Sequence, residues 1–172
     1  MNHLATSKED ILAASRDLIK ENGWAAVSIR AVASRCSVSA GTIYNYYESK
    51  ADLLSDTIES IWHEIFFHPE DEQIFHDVET CISWIYERLE YGNRQFPGFF
   101  SLHSFGFMRD EKTSGKKRMM KTWGHILNGL CEVLENDPKV RADVFDQEFT
   151  EKKFADILFS LILVSMIRQD YD

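Results

Sequence analysis

Between Thr42 and Lys50 the chain concentrates side chains suited to holding nucleic acid. Thr42, Asn45 and Tyr46 fall at i, i+3 and i+4, so a helix there presents them on one face, with Tyr44 projecting beside them. Hydroxyl, amide and phenol groups aimed outward suit phosphate oxygens and base edges. Lys50 stands in the first turn of a following helix, the end where the helix dipole disfavours a cation. A nearby phosphate would offset that penalty; an ordinary solvated lysine is the alternative. Ser28 and Ser39 each precede a short helical run and suit its N-cap. A capped helix end that also faces phosphate serves two purposes at once.

These residues need elements to position them. Ser28 to Tyr47 reads as two short helices, about 28–36 and 39–46, joined by a turn at Cys36-Ser37-Val38. That is the outline of a helix-turn-helix, whose second helix enters the major groove. Ile43 and Tyr47 lie four apart and belong inside. A preceding helix, about Ser7 to Asn22, opens with two capping-box candidates, Thr6-x-x-Glu9 and Ser7-x-x-Asp10. It carries Ile11, Ser15, Leu18 and Ile19 as an inward stripe and stops at Asn22-Gly23. A fourth helix, capped by Ser49-x-x-Asp52, runs to about Phe67 and is long enough to leave the head.

The 172 residues contain only 8 Gly and 3 Pro, and hydrophobic residues make up 44%. Few breakers and long periodic stretches predict an all-α protein: a three-helix helix-turn-helix head over 1–55 and a helical-bundle effector and dimerisation body over 56–172. Net charge is −9, which at first argues against nucleic acid. Residues 1–55, however, hold 6 Lys/Arg and 6 Asp/Glu, whereas the remainder holds 13 and 22. The whole excess lies in the body, which orients a neutral head toward phosphates. Such a head gives little non-specific affinity and leans on geometry and pairing. Cys36, Cys81 and Cys131 are odd in number and far apart, so neither a disulfide framework nor a metal knuckle is expected. The polar opening and an apolar run, 157–167, well short of a membrane span predict a cytoplasmic protein with no membrane partner.

In the body, one helix is expected from about Asp71 to Gly92, with Gly92-Asn93 as its stop. A phenylalanine-rich stretch follows, starting a helix at Pro97 that ends near Arg109, and then a helix from about Lys116 to Asn136. Trp84, Phe96, Phe99, Phe100, His103, Phe107 and Trp123 are candidates for an apolar effector pocket, with Met108 and His125 near them; plain core is the alternative for most of the phenylalanines. An aromatic or lipophilic molecule, or a cation held by aromatic faces, would suit such a site. The basic cluster 112–121 reads as a solvated loop and helix start. After a short piece over 139–147, the last helix, about Thr150 to Gln169, is apolar around most of its circumference. It therefore needs cover from a second subunit, through Phe154, Leu158, Leu161 and Ile162.

From Ser28 through Leu54 the sequence SIRAVASRCSVSAGTIYNYYESKADLL resembles the DNA-binding domain of the TetR family of bacterial transcriptional regulators. Val38, Ser39, Gly41, Thr42, Ile43, Tyr44, Tyr46, Tyr47, Ser49, Lys50 and Leu53 fill its pattern at fixed spacing, and the likeness covers about residues 5–55. The resemblance implies that Ser28 contacts phosphate, that Ala40, Gly41, Thr42, Tyr44 and Asn45 lie in the groove, and that Tyr44, Tyr46 and Lys50 clamp the DNA backbone; Ser39 joins them as a DNA-binding candidate. It also implies a homodimer on a double-stranded operator, a small-molecule effector in the body, and an effector-driven swing of the fourth helix. Ser37 and Ala40 depart from the family, which mostly has Gly in the turn and a polar residue at the second position. The chain is also short for the family.

No nucleophile motif, phosphate loop or carboxylate pair suggests an enzyme, and His63 and His68 make a poor metal pair, so neither cofactor nor metal is expected. The competing class is a helical adaptor or ligand-binding protein whose head no longer binds DNA, which the neutral head and Ala40 keep open.

Overall fold

A computed structural model describes residues 6–66, 76–100 and 114–171, with the side chains of 114–122 left aside. The described residues form seven α-helices and no strand. The head holds α1 (Lys8–Asn22), α2 (Ile29–Arg35) and α3 (Ala40–Tyr44), and α4 (Lys50–Phe66) runs on into the body. There α4 packs against α5 (Val78–Gln95) and α6 (Ser114–Asn136), and α7 (Glu151–Arg168) lies along α6. No helix among the described residues is long and apolar enough to cross a membrane.

The head's helices begin where its sequence provides a cap. At α1 the box is Ser7 with Asp10: the Asp10 N–H donates to Ser7 Oγ at 3.1 Å, and the Ser7 N–H donates to Asp10 Oδ2 at 2.9 Å. Gly23 then takes a positive φ of 76°, which its missing Cβ permits, and ends the helix. Ser28 and Ser39 cap α2 and α3 through the N–H groups of Ala31 and Thr42, and Ser49 accepts from Asp52 at the start of α4. Ile11, Ile19, Val32, Ile43 and Leu53 are completely buried beneath these caps. On the surface, Arg35 of α2 donates to both carboxylate oxygens of Glu21 on α1.

The body departs from or sharpens expectation in four places. First, α5 begins at Val78, capped by Asp77, whose Oδ1 accepts from the Thr80 N–H at 3.0 Å. Second, Gly92 does not stop that helix, which continues to Gln95. A Cβ at Gly92 would lie 2.6 Å from Ile65 Cδ1 and 3.0 Å from Phe100 Cε2, so glycine is there for close approach to α4, not for a turn. Third, the short piece over 139–147 is a run of turns. Buried Asp137 organises them, with Oδ2 accepting from the Val78 N–H and Oδ1 from the Lys139 N–H. Fourth, α7 is not uniformly apolar-buried. Ala155, Phe159, Ile162 and Met166 face inward, and Ile157, Leu161, Val164 and Ile167 are exposed on the opposite side. The phenylalanine-rich stretch enters a turn over 97–100, and the expected helix beyond it lies outside the described residues.

Candidate nucleic-acid interface and body cavity

The turn of the helix-turn-helix closes through backbone bonds: Ser37 N–H to Ser34 C=O at 3.1 Å and Val38 N–H to Ala33 C=O at 2.9 Å. Ser37 takes φ 57°, the left-handed conformation that glycine would adopt with less strain. Cys36, in the same turn, sets its Sγ 3.8 Å from the Asp10 carbonyl, and burial pushes its thiol up, which keeps it protonated. The turn aims α3 so that Ile43 is wholly buried and Tyr47 nearly so.

The other side of α3 is outside. Ser39, Gly41, Tyr44 and Asn45 are exposed, Ala40 and Thr42 are half-buried, and Tyr44 leaves 55% of its surface in solvent. Ser39 Oγ and Thr42 Oγ1 lie 3.0 Å apart, forming a hydroxyl pair at the helix N-terminus. Lys50 is exposed at the start of α4, and Ser28 is half-buried at the start of α2. Tyr46 differs from expectation. Its hydroxyl donates to the Thr6 carbonyl at 2.6 Å, tying the segment before α1 to the end of α3. The proton that a backbone clamp would offer to phosphate is already engaged within the chain.

In the body, a cavity of about 480 Å³ opens among α4, α5, α6 and α7. Trp62, Phe66, Trp84, Trp123 and Phe159 give it an aromatic wall, and His125, Glu132 and Asn136 of α6 supply polar groups. The rings pack on one another in two groups: Phe66 meets Trp62 at 5.5 Å and Trp84 at 5.8 Å between centroids, and Trp123 meets Phe159 at 5.7 Å. Cys81 lines the same wall, its thiol pushed up by burial to about 11.

Residues 11–57 match the family model described as "Bacterial regulatory proteins, tetR family". The head is a tetR-family domain. Over 48 residues the chain is 38% identical to the HTH-type transcriptional regulator UidR of Escherichia coli K12, a match covering 28% of this chain and 24% of that protein. Over 47 residues it is 45% identical to the HTH-type transcriptional repressor KstR of Rhodococcus jostii RHA1, covering 27% and 22%. The chain thus spans about a quarter of the length of the curated relatives it matches. Likeness over the whole chain is one of fold. The regulator FadR of Bacillus subtilis, solved with stearoyl-CoA, superposes with a TM-score of 0.65 at 17% identity, covering 94% of this chain and 86% of that one. A regulator from Rhodococcus superposes with a TM-score of 0.63, also at 17% identity, covering 96% and 90%.

With the tetR-type head in place, the body's candidate residues divide. Trp84 and Trp123 line the cavity. Phe96, Phe99 and Phe100 do not: they are buried behind the wall, where Phe99 meets Trp24 at 6.1 Å and Trp62 at 5.7 Å, while Phe100 meets Trp62 at 5.6 Å. The turn after α5 folds these three back under α4, so they support the cavity wall from behind. His103 and Phe107 lie outside the described residues. On α7, Ile162 faces the cavity and Phe154 packs against Phe145 and Phe149, so neither lies on the exposed stripe. Leu161 is 55% exposed and Leu158 half-buried. Sequence reasoning missed Trp62 and Phe66 at the end of α4, and the α6 face bearing Glu132 and Asn136. Only the packing of four helices brings them together.

Proposed function

We propose that this chain is a DNA-binding transcriptional regulator, a homodimeric repressor released from a palindromic operator by a small lipophilic or aromatic effector. The observation that carries this reading is the two-sided character of α3. Ile43 and Tyr47 are sealed in the core, while Ser39, Gly41, Tyr44 and Asn45 stand outside with Thr42 beside them. Outward hydroxyl, amide and phenol groups on a rigidly anchored helix suit base edges and phosphates. Lys50 and the capped N-terminus of α2 at Ser28 add backbone contacts. The names of UidR and KstR agree with a regulator, and a repressor respectively.

The cavity supports the effector part, and the stearoyl-CoA held by FadR of Bacillus subtilis supports a lipophilic occupant. Coupling would run through the end of α4. Trp62 and Phe66 face the cavity, and Glu64 between them binds Arg16 at 3.0 Å and Lys20 at 2.6 Å on α1. Arg88 of α5 donates to the carbonyls of Glu64 and Ile65 and so holds that same turn. An occupant that displaced the turn would pull on the head through one carboxylate. The exposed stripe of α7 supports a second copy as partner.

Selection of bound sequences from a random DNA pool tests the central reading. A palindrome with half-site centres about 34–36 Å apart is expected. Lys50→Ala should then weaken binding to every sequence and lower the salt slope by about one, whereas Asn45→Ala should relax preference at one base pair. Failure to enrich any sequence would favour the adaptor reading.

A further inference from the structure

The polar lining of the cavity lies on a single helix face. His125, Gly129, Glu132 and Asn136 follow one another at i, i+4, i+7 and i+11, within about 60° of arc on α6. Three of the four are exposed, so this face is the rim where the cavity meets solvent, and the aromatic rings lie behind it. Gly129 sits in the middle of the rim. Among the described residues a Cβ there would meet no atom within 4 Å, so the glycine leaves an opening where any other residue would project a side chain. Asn136 donates an amide proton to the Glu132 backbone carbonyl at 2.7 Å, and among the described lining residues Glu132 is the one that carries a carboxylate. No Lys or Arg is among the described lining residues.

Resting on the reading of this cavity as the effector site, we propose that its ligand is a cationic amphiphile. Its apolar or aromatic body enters past Gly129, and its single positive head, an alkylated or aromatic ammonium, sits between Glu132 and the ring faces. The apolar wall takes any lipophilic body, so the charge of the head decides among ligands. An anionic head would meet the Glu132 carboxylate and a body that carries the chain's whole net charge of −9. A cationic head would meet that carboxylate and the negative faces of aromatic rings.

The full chain is titrated with decyltrimethylammonium, decanol and decanoate, each below its micelle concentration, by tryptophan fluorescence and calorimetry. The ammonium probe should bind about tenfold tighter than the carboxylate. Glu132→Gln, a change at an exposed position, should bring that ratio close to one while leaving decanol affinity unchanged. Gly129→Phe should weaken all three probes with the far-UV spectrum and Tm retained, and Gly129→Val serves the same purpose if the larger ring does not fold. Decanoate binding as tightly as the ammonium probe, or a ratio indifferent to Glu132→Gln, would overturn the head-group assignment and leave the effector reading standing. No binding by any probe, or affinities untouched by either Gly129 substitution, would overturn both.

Discussion

Head and body bury their apolar side chains in different ways. In the head every helix start is marked by a serine cap, and the inward positions Ile11, Ile19, Val32, Ile43 and Leu53 are wholly enclosed. Its functional groups stand outside that closed core. The body leaves a cavity of about 480 Å³ between four helices and an apolar stripe on α7 open to solvent. The groups proposed for an effector and a second copy are the inside of a hole and the outside of a helix. A rigid reader and a yielding sensor make opposite demands on packing. Dense cores hold one geometry, whereas a cavity wall leaves its side chains short of contacts that an occupant can restore.

Core truncation gives the largest expected contrast. Ile43→Ala should cost about 2–5 kcal/mol, because the surrounding head is closed and cannot collapse. Trp123→Ala should cost less despite removing a larger side chain, because that ring is half-buried and already faces open space. Urea unfolding of both variants checks this, and a larger loss at Trp123 would break the comparison. Next comes Leu161→Arg, on the exposed stripe. It should give a monomer by sedimentation and reduce operator affinity by on the order of a hundredfold, through lost avidity, with the fold of the subunit intact. Gly92→Ala should destabilise by about 1–3 kcal/mol, because its methyl would press on Ile65 and Phe100. Removing the α3 cap with Ser39→Ala should cost about 1 kcal/mol in the same assay.

The smallest effect is a pH dependence at the start of α5. Hydrogen bonds from Thr80, backbone first and then side chain, hold the Asp77 carboxyl below the usual carboxylate range, with Lys139 helping. Its folded pKa is thus lower than its unfolded one. The stability it contributes is present above about pH 4 and is lost as pH falls through the folded value. Asp77→Asn should flatten the acid limb of the stability curve by lowering its neutral plateau slightly while leaving the acid end unchanged. An unchanged acid limb would show that Asp77 is not among the groups that set it.

The head was readable because its information is local. Caps, the turn at Cys36–Val38 and the spacing of Ile43 and Tyr47 all act within one or two helical turns. Residues four apart must share a helix face wherever the helix goes. Even so, the hydroxyl of Tyr46 could not be assigned. Its partner, the Thr6 carbonyl, is forty residues away and comes close only when α3 docks beside the start of α1.

In the body the same rules located helices but not their neighbours. A run of phenylalanines reads equally as pocket or as core, and Phe96, Phe99 and Phe100 became core because the turn after α5 tucks them under Trp62. Gly92 reads as a stop because a glycine that permits a turn and one that permits close contact look alike in sequence. Two opposed stripes on α7 read as one apolar circumference until α6 covers one of them. What the sequence by itself determined is the helical class, the capped helix-turn-helix and the groups α3 presents, because hydrogen bonds and side-chain periodicity act along the chain. Only the tertiary structure decided which rings wall the cavity, that Glu132 and Gly129 form its rim, and which face of α7 stays open. Those are relations between helices far apart in the chain, and packing alone creates them.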